Sequence, residues 1–269
     1  MDLKLDGMKA AITGGSAGIG REIALSLAKE GVDVAICARR EEPLKEAAAD
    51  IAKKTNRKVV PLVADLTKTE DANAFISGSI EALGGLDILI NNAGSAAGGT
   101  LESLSDDDWE AALALKFFGY VRCTRAVVPH MKAQGGGRVV NLIGNDGVKP
   151  SYWEVAPGAA NAAGQNLTMA LAGQYGGDNI TFVAVNPGPV RTERWDGLVQ
   201  AMSRDMNLPF DEANQLAPRS IPLGRIAECE EVANLVTYLA SPLATFINGT
   251  MIEIDGGQQK PIMDAYRDG

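Results

Sequence analysis

A chain of 269 residues with 46% apolar and 22% charged content holds enough hydrophobic material for one full core and too little bias for a disordered chain. Its formal charge of −9, from 34 acids against 25 Lys and Arg, excludes the broad basic surface that nucleic-acid phosphates need. No run approaches the roughly 18 apolar residues that span a bilayer, and Met1–Ala10 carries acids and lacks a signal peptide's apolar core, so a cytoplasmic protein with no nucleic-acid or membrane partner is expected.

In chain order, apolar runs of strand length alternate with helical stretches, with no linker or repeat between them, which predicts βαβ units in one domain over residues 1–269. The expected strands are Lys9–Thr13, Val32–Cys37, Val59–Val63, Leu86–Ile90, Arg138–Ile143, Ile180–Val185 and Met251–Ile254. Most are continuous apolar runs, as a sheet covered on both faces requires. Right-handed crossovers then give an α/β, doubly wound parallel sheet of Rossmann type, with ligands at the carboxyl ends of the strands. Residues 191–225 break the rhythm: polar, Pro-containing and weakly periodic, they read as a substrate lid or as a plain surface excursion. Cys37, Cys123 and Cys229 are odd in number and far apart, which fits core packing and predicts neither disulfides nor a metal site.

The first strand runs into Thr13-Gly14-Gly15-Ser16-Ala17-Gly18-Ile19-Gly20 and then the helical Arg21–Ala28. Glycines there allow a tight turn and close approach of a pyrophosphate, whose charge is met by free N–H groups at the helix N-terminus. The second strand ends at Arg39 and Arg40, where the adenosine ribose lies in such folds. A guanidinium suits a ribose 2′-phosphate as an acid suits the 2′-OH, so Arg39 predicts NADP(H) over NAD(H), with Arg40 solvated.

That turn, Asp65 after the third strand, Asn91-Asn92-Ala93-Gly94 after the fourth, Asn186-Pro187-Gly188 after the sixth and Ile254-Asp255-Gly256-Gly257 near the end together resemble the short-chain dehydrogenase/reductase family over essentially the whole chain. The resemblance implies that Gly14, Ser16, Gly18, Ile19 and Gly20 surround the pyrophosphate and that Asp65 and Leu66 lie near adenine. It implies that Asn92, Ala93 and Gly94 lie near the ribose, and Pro187, Gly188, Val190 and Thr192 near the nicotinamide amide. It also implies a small-molecule substrate and a homo-dimer or homo-tetramer paired through the long helices after the fourth and fifth strands.

The family's proton chemistry uses an Asn, a Ser and a Tyr and Lys four residues apart, the Tyr exchanging a proton with the substrate oxygen while the Lys lowers its pKa. Matched through Trp109, Gly119 and Gly137–Asn141, this chain places Lys116, Gly144, Pro157 and Asn161 at those positions, and no Tyr here has a Lys four residues after it. Gly and Pro carry no side-chain donor or acceptor, so two roles are deleted outright. Pro157 further implies a helix that starts nearby with Pro in its first turn, or one that is kinked.

Helical spacing places Lys116 on a face with Trp109, Leu113 and Tyr120. Either it supplies the cation that position 161 has lost, with Asn161 still touching the ribose, or its stem packs on Trp109 and its ammonium reaches water. Asn145, Asp146, Tyr152 and Glu154 fall in the loop that borders the substrate. Asp146 and Tyr152 join Lys116 and Asn161 as catalytic candidates, although loop acids ordinarily face solvent, Glu154 above all. Trp153 and Trp195 read as walls of an apolar pocket or as core, and His130 as a solvated or capping residue at a helix end.

Three functions stay open. One is an NADP(H)-dependent oxidoreductase with relocated acid–base groups acting on a small carbonyl or alcohol. Another is a lyase, hydratase or hydrolase reusing the cleft, and the third is an inactive nucleotide binder.

Overall fold

The computed structural model describes all residues except Ala96, Arg194 and Gly269 and the side chain of Asp268. In chain order the elements are β1 (Lys9–Thr13), α1 (Gly18–Lys29), β2 (Asp33–Ala38), α2 (Glu41–Thr55), β3 (Val59–Val63), α3 (Thr69–Leu83) and β4 (Ile88–Asn91). There follow α4 (Asp106–Lys116), α5 (Phe118–Ala133), β5 (Gly137–Leu142), α6 (Val155–Tyr175), β6 (Ile180–Pro187) and β7 (Val190–Arg191). The chain continues through α7 (Trp195–Met206), α8 (Phe210–Asn214), α9 (Leu216–Ser220), β8 (Ala227–Glu228), α10 (Cys229–Ala240), β9 (Met251–Ile254) and α11 (Ile262–Asp268).

Seven parallel strands form one sheet in the order β3-β2-β1-β4-β5-β6-β9. The α/β, doubly wound arrangement is the one the alternating apolar runs imply. The pleat divides β1 between two cores. Ala10 and Ile12 pack with Ile23 of α1, Leu44 of α2 and Val236 of α10. Ala11 faces the other side, with Phe75 of α3, Val127 of α5 and Ala172 of α6. Successive side chains alternate faces, so helices on both sides favour apolar residues at most strand positions. The strand order reverses between β1 and β4, which opens a crevice at their carboxyl ends.

The observed strands overlay the expected ones to within two residues at each end. At β4 the pairing starts late: the Leu86 N–H donates to Nε2 of His130 at 3.1 Å, and the Asp87 carboxylate accepts from the Lys9 N–H at 2.8 Å. His130 is half-buried, and its Nε2 anchors the entry to a strand.

Residues 191–225 are not an irregular excursion. They fold into α7, α8 and α9, and β7 pairs with β8 across their base. Trp195, Val199 and Met202 share one face of α7 and pack with Ala213, Leu216 and Ile221, and with Trp153, Ile262 and Met263. The apolar spacing of i, i+4 and i+7 is present in the sequence, but the polar residues between hide it from a composition reading. Among the described residues no helix is long and apolar enough to cross a membrane.

Candidate active site

The crevice is a cavity of about 1290 Å³ that runs from the end of β2, past the α1 N-terminus, to the loop after β5. Gly14 and Gly18 adopt φ of +70° and +54°, which L side chains rarely do. A Cβ at Gly20 would stand 2.3 Å from the Gly14 carbonyl oxygen, so the turn closes only on glycine. Ala17 gives α1 no side-chain cap and its first turn holds no acid, which leaves the N-terminal N–H groups and the positive end of the helix dipole for an anion.

The turn after β4 is sewn onto β1. Thr13 Oγ1 accepts from the N–H groups of Asn92 and Ala93 at 2.8 and 2.9 Å, and Asn92 Nδ2 donates to the Thr13 carbonyl at 2.9 Å. Beneath, Asn91 Nδ2 donates to Asn141 Oδ1 at 2.9 Å, and Asn141 Nδ2 to Thr168 Oγ1 at 2.9 Å. This buried amide chain locks β4, β5 and α6 in register under the cavity floor.

Of the residues assigned from sequence to a dinucleotide, Gly14, Ser16, Gly18, Ile19, Gly20, Arg39, Leu66, Asn92, Ala93, Gly94, Pro187, Gly188, Val190 and Thr192 all line this cavity. Asp65 does not: its carboxylate turns back to accept from the Thr67 N–H and hydroxyl at 3.1 and 2.8 Å, and its neighbours Ala64 and Leu66 line the wall instead. Arg39 and Arg40 are both exposed at the rim, and both line it.

The deep end is built from α4, the loop after β5 and the start of α6. Asn161 donates through Nδ2 to the Asp146 carboxylate in a short hydrogen bond, and both side chains are buried. The space they fill explains Gly144, where a Cβ would lie 2.5 Å from Asn161 Nδ2 and 2.6 Å from Asp146 Oδ1. Asp146, expected at the surface by the ordinary habit of loop acids, is therefore part of the floor, and Asn161 is engaged by it. Lys116 closes α4, and its stem packs on the backbone of Gly94, where a Cβ would meet Lys116 Cγ at 3.1 Å. α4 ends at Lys116 and α5 starts at Phe118, and both Lys116 and Tyr120 line the cavity. Tyr120 sends its hydroxyl to the Leu142 carbonyl.

Helix α6 starts at Val155 with Glu154 as N-cap, so Pro157 lies in the first turn, where its missing N–H costs nothing. Both Gly144 and Pro157 line the cavity. Glu154, assigned to solvent from sequence, lines it too and is only partly exposed. Burial, then the charge of Asp146, drive its carboxyl up to about 7, with Asp264 adding and Lys116 opposing. The signal that could have found it is its place one residue before a helix that opens with Val-Ala-Pro. Tyr152 lies outside the cavity, its ring covered by the Arg267 guanidinium at 4.5 Å.

Trp153 and Trp195 serve as both wall and core. Each is buried and lines the cavity, and their indole N–H groups point away from it, to Asp205 at 2.8 Å and Asn214 at 2.7 Å. What they offer the cavity is apolar surface.

A glycine cradle at a strand order reversal, joined to a polar pocket after β5, defines a dinucleotide-type α/β fold. Residues 8–203 match the family model described as short chain dehydrogenase, and the chain belongs to that family. The Uncharacterized oxidoreductase YvrD of Bacillus subtilis (strain 168) is 31% identical over 261 residues, covering 96% of this chain and 98% of that one. L-Sorbose reductase from Gluconobacter frateurii, solved with NADPH and L-sorbose, matches with a TM-score of 0.91 at 32% identity, covering 97% of this chain and 99% of that one. An NAD+-bound xylitol dehydrogenase matches with a TM-score of 0.91 at 27% identity, covering 94% and 100%.

Proposed function

We propose that this protein is an NADP(H)-dependent oxidoreductase that interconverts a small carbonyl and its alcohol, using a polar set that departs from the family's Asn, Ser, Tyr and Lys. The observation that carries this reading is the continuity of one cavity. It begins at Arg39 and Arg40, passes the uncapped α1 N-terminus, and ends between Lys116, Asp146 and the two tryptophans. A nicotinamide dinucleotide would supply hydride transfer there. The α1 N–H groups would hold its pyrophosphate, and the Arg39 guanidinium a 2′-phosphate.

At the deep end, this reading places Lys116, Gly144, Pro157 and Asn161 where relatives keep their polar four. Gly144 and Pro157 bring no proton-bearing group, so acid–base work falls to side chains that enter from other positions. The Asp146–Asn161 pair stiffens the floor, and Lys116 supplies positive charge beside it. α7, α8 and α9, with the apolar faces of Trp153 and Trp195, would cover the substrate and favour an apolar one. Assembly as a homo-dimer or homo-tetramer would pair the α5 and α6 faces, where Phe118 and Met169 stand exposed.

The test is calorimetric titration of the purified protein with NADPH and, separately, NADH. The expected result is NADPH binding at least tenfold tighter than NADH, lost in Arg39→Ala. Equal affinity would remove the NADP preference, and no binding of either would overturn the oxidoreductase reading in favour of a non-redox use of the cleft.

A further inference from the structure

At the deep end positions 144 and 157 are Gly and Pro, which carry no proton, and the Tyr120 hydroxyl is spent on the Leu142 carbonyl. Asp146 is already engaged as acceptor of the Asn161 amide. Glu154 brings a further carboxyl to the same cavity. Its backbone is clamped from both sides: Gly99 forms a parallel bridge with it, the Gly99 N–H donates to the Trp153 carbonyl at 2.6 Å, and the Gly158 N–H donates to the Glu154 carbonyl at 2.8 Å. Although it occupies the N-cap of α6, its side chain makes no capping bond and lines the cavity instead. The charges facing it come from three elements: Asp146 of the loop after β5, Lys116 at the end of α4 and Asp264 of α11.

We propose that Glu154 is the catalytic proton donor and acceptor of this site, with Lys116 balancing the charge on its carboxylate after the proton has left. The proposal rests on the oxidoreductase reading. In the reducing direction the carbonyl carbon gains a hydride, supplied by a reduced nicotinamide dinucleotide, and the carbonyl π pair moves to oxygen. That oxygen takes the proton as the Glu154 O–H bond breaks, and the Glu154 carboxylate is reprotonated from water through the open cavity. Oxidation of the alcohol runs the same transfers in reverse. A carboxyl held near neutrality by burial serves both directions, since both its forms are populated near pH 7.

The test compares wild type, Glu154→Gln and Glu154→Asp. In ligand-free protein, difference infrared spectroscopy should show a protonated carboxyl band that titrates near neutral pH and is absent in Glu154→Gln. In steady state, carbonyl reduction by wild type should fall as pH rises through that midpoint. Glu154→Gln should bind NADPH like wild type yet lose about 100-fold or more in kcat, without that pH limb. Glu154→Asp, which keeps the acid, should retain the limb at a reduced rate. Wild-type turnover in Glu154→Gln, or a carboxyl ionised throughout the acid side of neutrality, overturns the proposal while leaving the oxidoreductase reading standing. Failure of wild type to bind either dinucleotide overturns both.

Discussion

At the residue scale, position 144 shows why this floor carries a glycine. A serine there would add a hydroxyl, but its Cβ alone would stand 2.5 Å from Asn161 Nδ2 and 2.6 Å from Asp146 Oδ1. The Asp146–Asn161 pair must then separate, leaving a buried carboxylate short of its donor. Gly144→Ser is expected to cost about 2 kcal/mol of stability and to leave turnover no higher, read by urea unfolding and by the carbonyl assay. Glu154 gives a second prediction, independent of any substrate. Its carboxyl rises from an ordinary 4.5 to about 7 on folding, so the folded state binds the extra proton. Wild-type stability is therefore fully present below the ordinary value and declines as pH climbs through the folded one. Glu154→Gln lacks that titration, so it should melt later than wild type on the alkaline side, by up to about 3 kcal/mol, with the difference vanishing in acid. Melting temperature against pH for both proteins checks it. A variant that tracks wild type at every pH would mean that the carboxyl is not perturbed.

At the scale of elements, the loop that carries Asp146 and Glu154 is held by the C-terminal segment as much as by its own strand. The Lys149 ammonium forms a short ion pair with the Asp255 carboxylate and donates to the Gln258 carbonyl at 2.6 Å. Asn145 Nδ2 adds bonds to Asp255 at 3.2 Å and to Gln258 Oε1 at 2.9 Å. Ser151 Oγ donates to Asp264 of α11 at 2.5 Å. Burial alone would raise the Asp255 carboxyl, but hydrogen bonds from Lys149 and Asn145, with the ammonium's charge, hold it below the usual carboxylate range. A lowered carboxylate contributes stability above its unfolded pKa and loses it as pH falls through the folded one. Lys149→Met is therefore expected to cost about 2 kcal/mol near neutral pH, because it strands a buried carboxylate, and distinctly less in acid, where that carboxyl is protonated in both proteins. Urea unfolding at the two pH values measures it. An equal loss at both would assign the effect to packing of the lysine stem.

At the scale of the whole molecule, the sheet and the glycine turn after β1 were legible because each rests on local sequence. Continuous apolar runs mark buried parallel strands, and the glycines of Gly14–Gly20 mark a turn whose geometry is set within eight residues. The deep end is assembled from α4, the loop after β5, α6 and the C-terminal segment, far apart in sequence. Helical spacing along one of them could not show that Glu154 faces Asp146 and Lys116, nor that Tyr152 is walled off by Arg267. The same division governs assembly, where the reading is again local. Phe118 and Met169 are 45% and 44% exposed on α5 and α6, on the face of the sheet opposite α1, α2 and α10. Phe118 meets Phe117 edge to face and has the Arg122 guanidinium 5.5 Å from its ring centre. Two large exposed apolar side chains on helices of the same sheet face are what a symmetric pairing of those helices would cover. The double variant Phe118→Lys, Met169→Glu places charge on both halves of such a pair without touching the core. It is expected to run at the mass of one chain in size-exclusion chromatography with light scattering, against a multiple of it for wild type, while NADPH affinity is unchanged because Arg39 and the α1 N-terminus lie elsewhere. Wild type already at the mass of one chain would remove the assembly, and a variant that stays oligomeric would move the interface to another face.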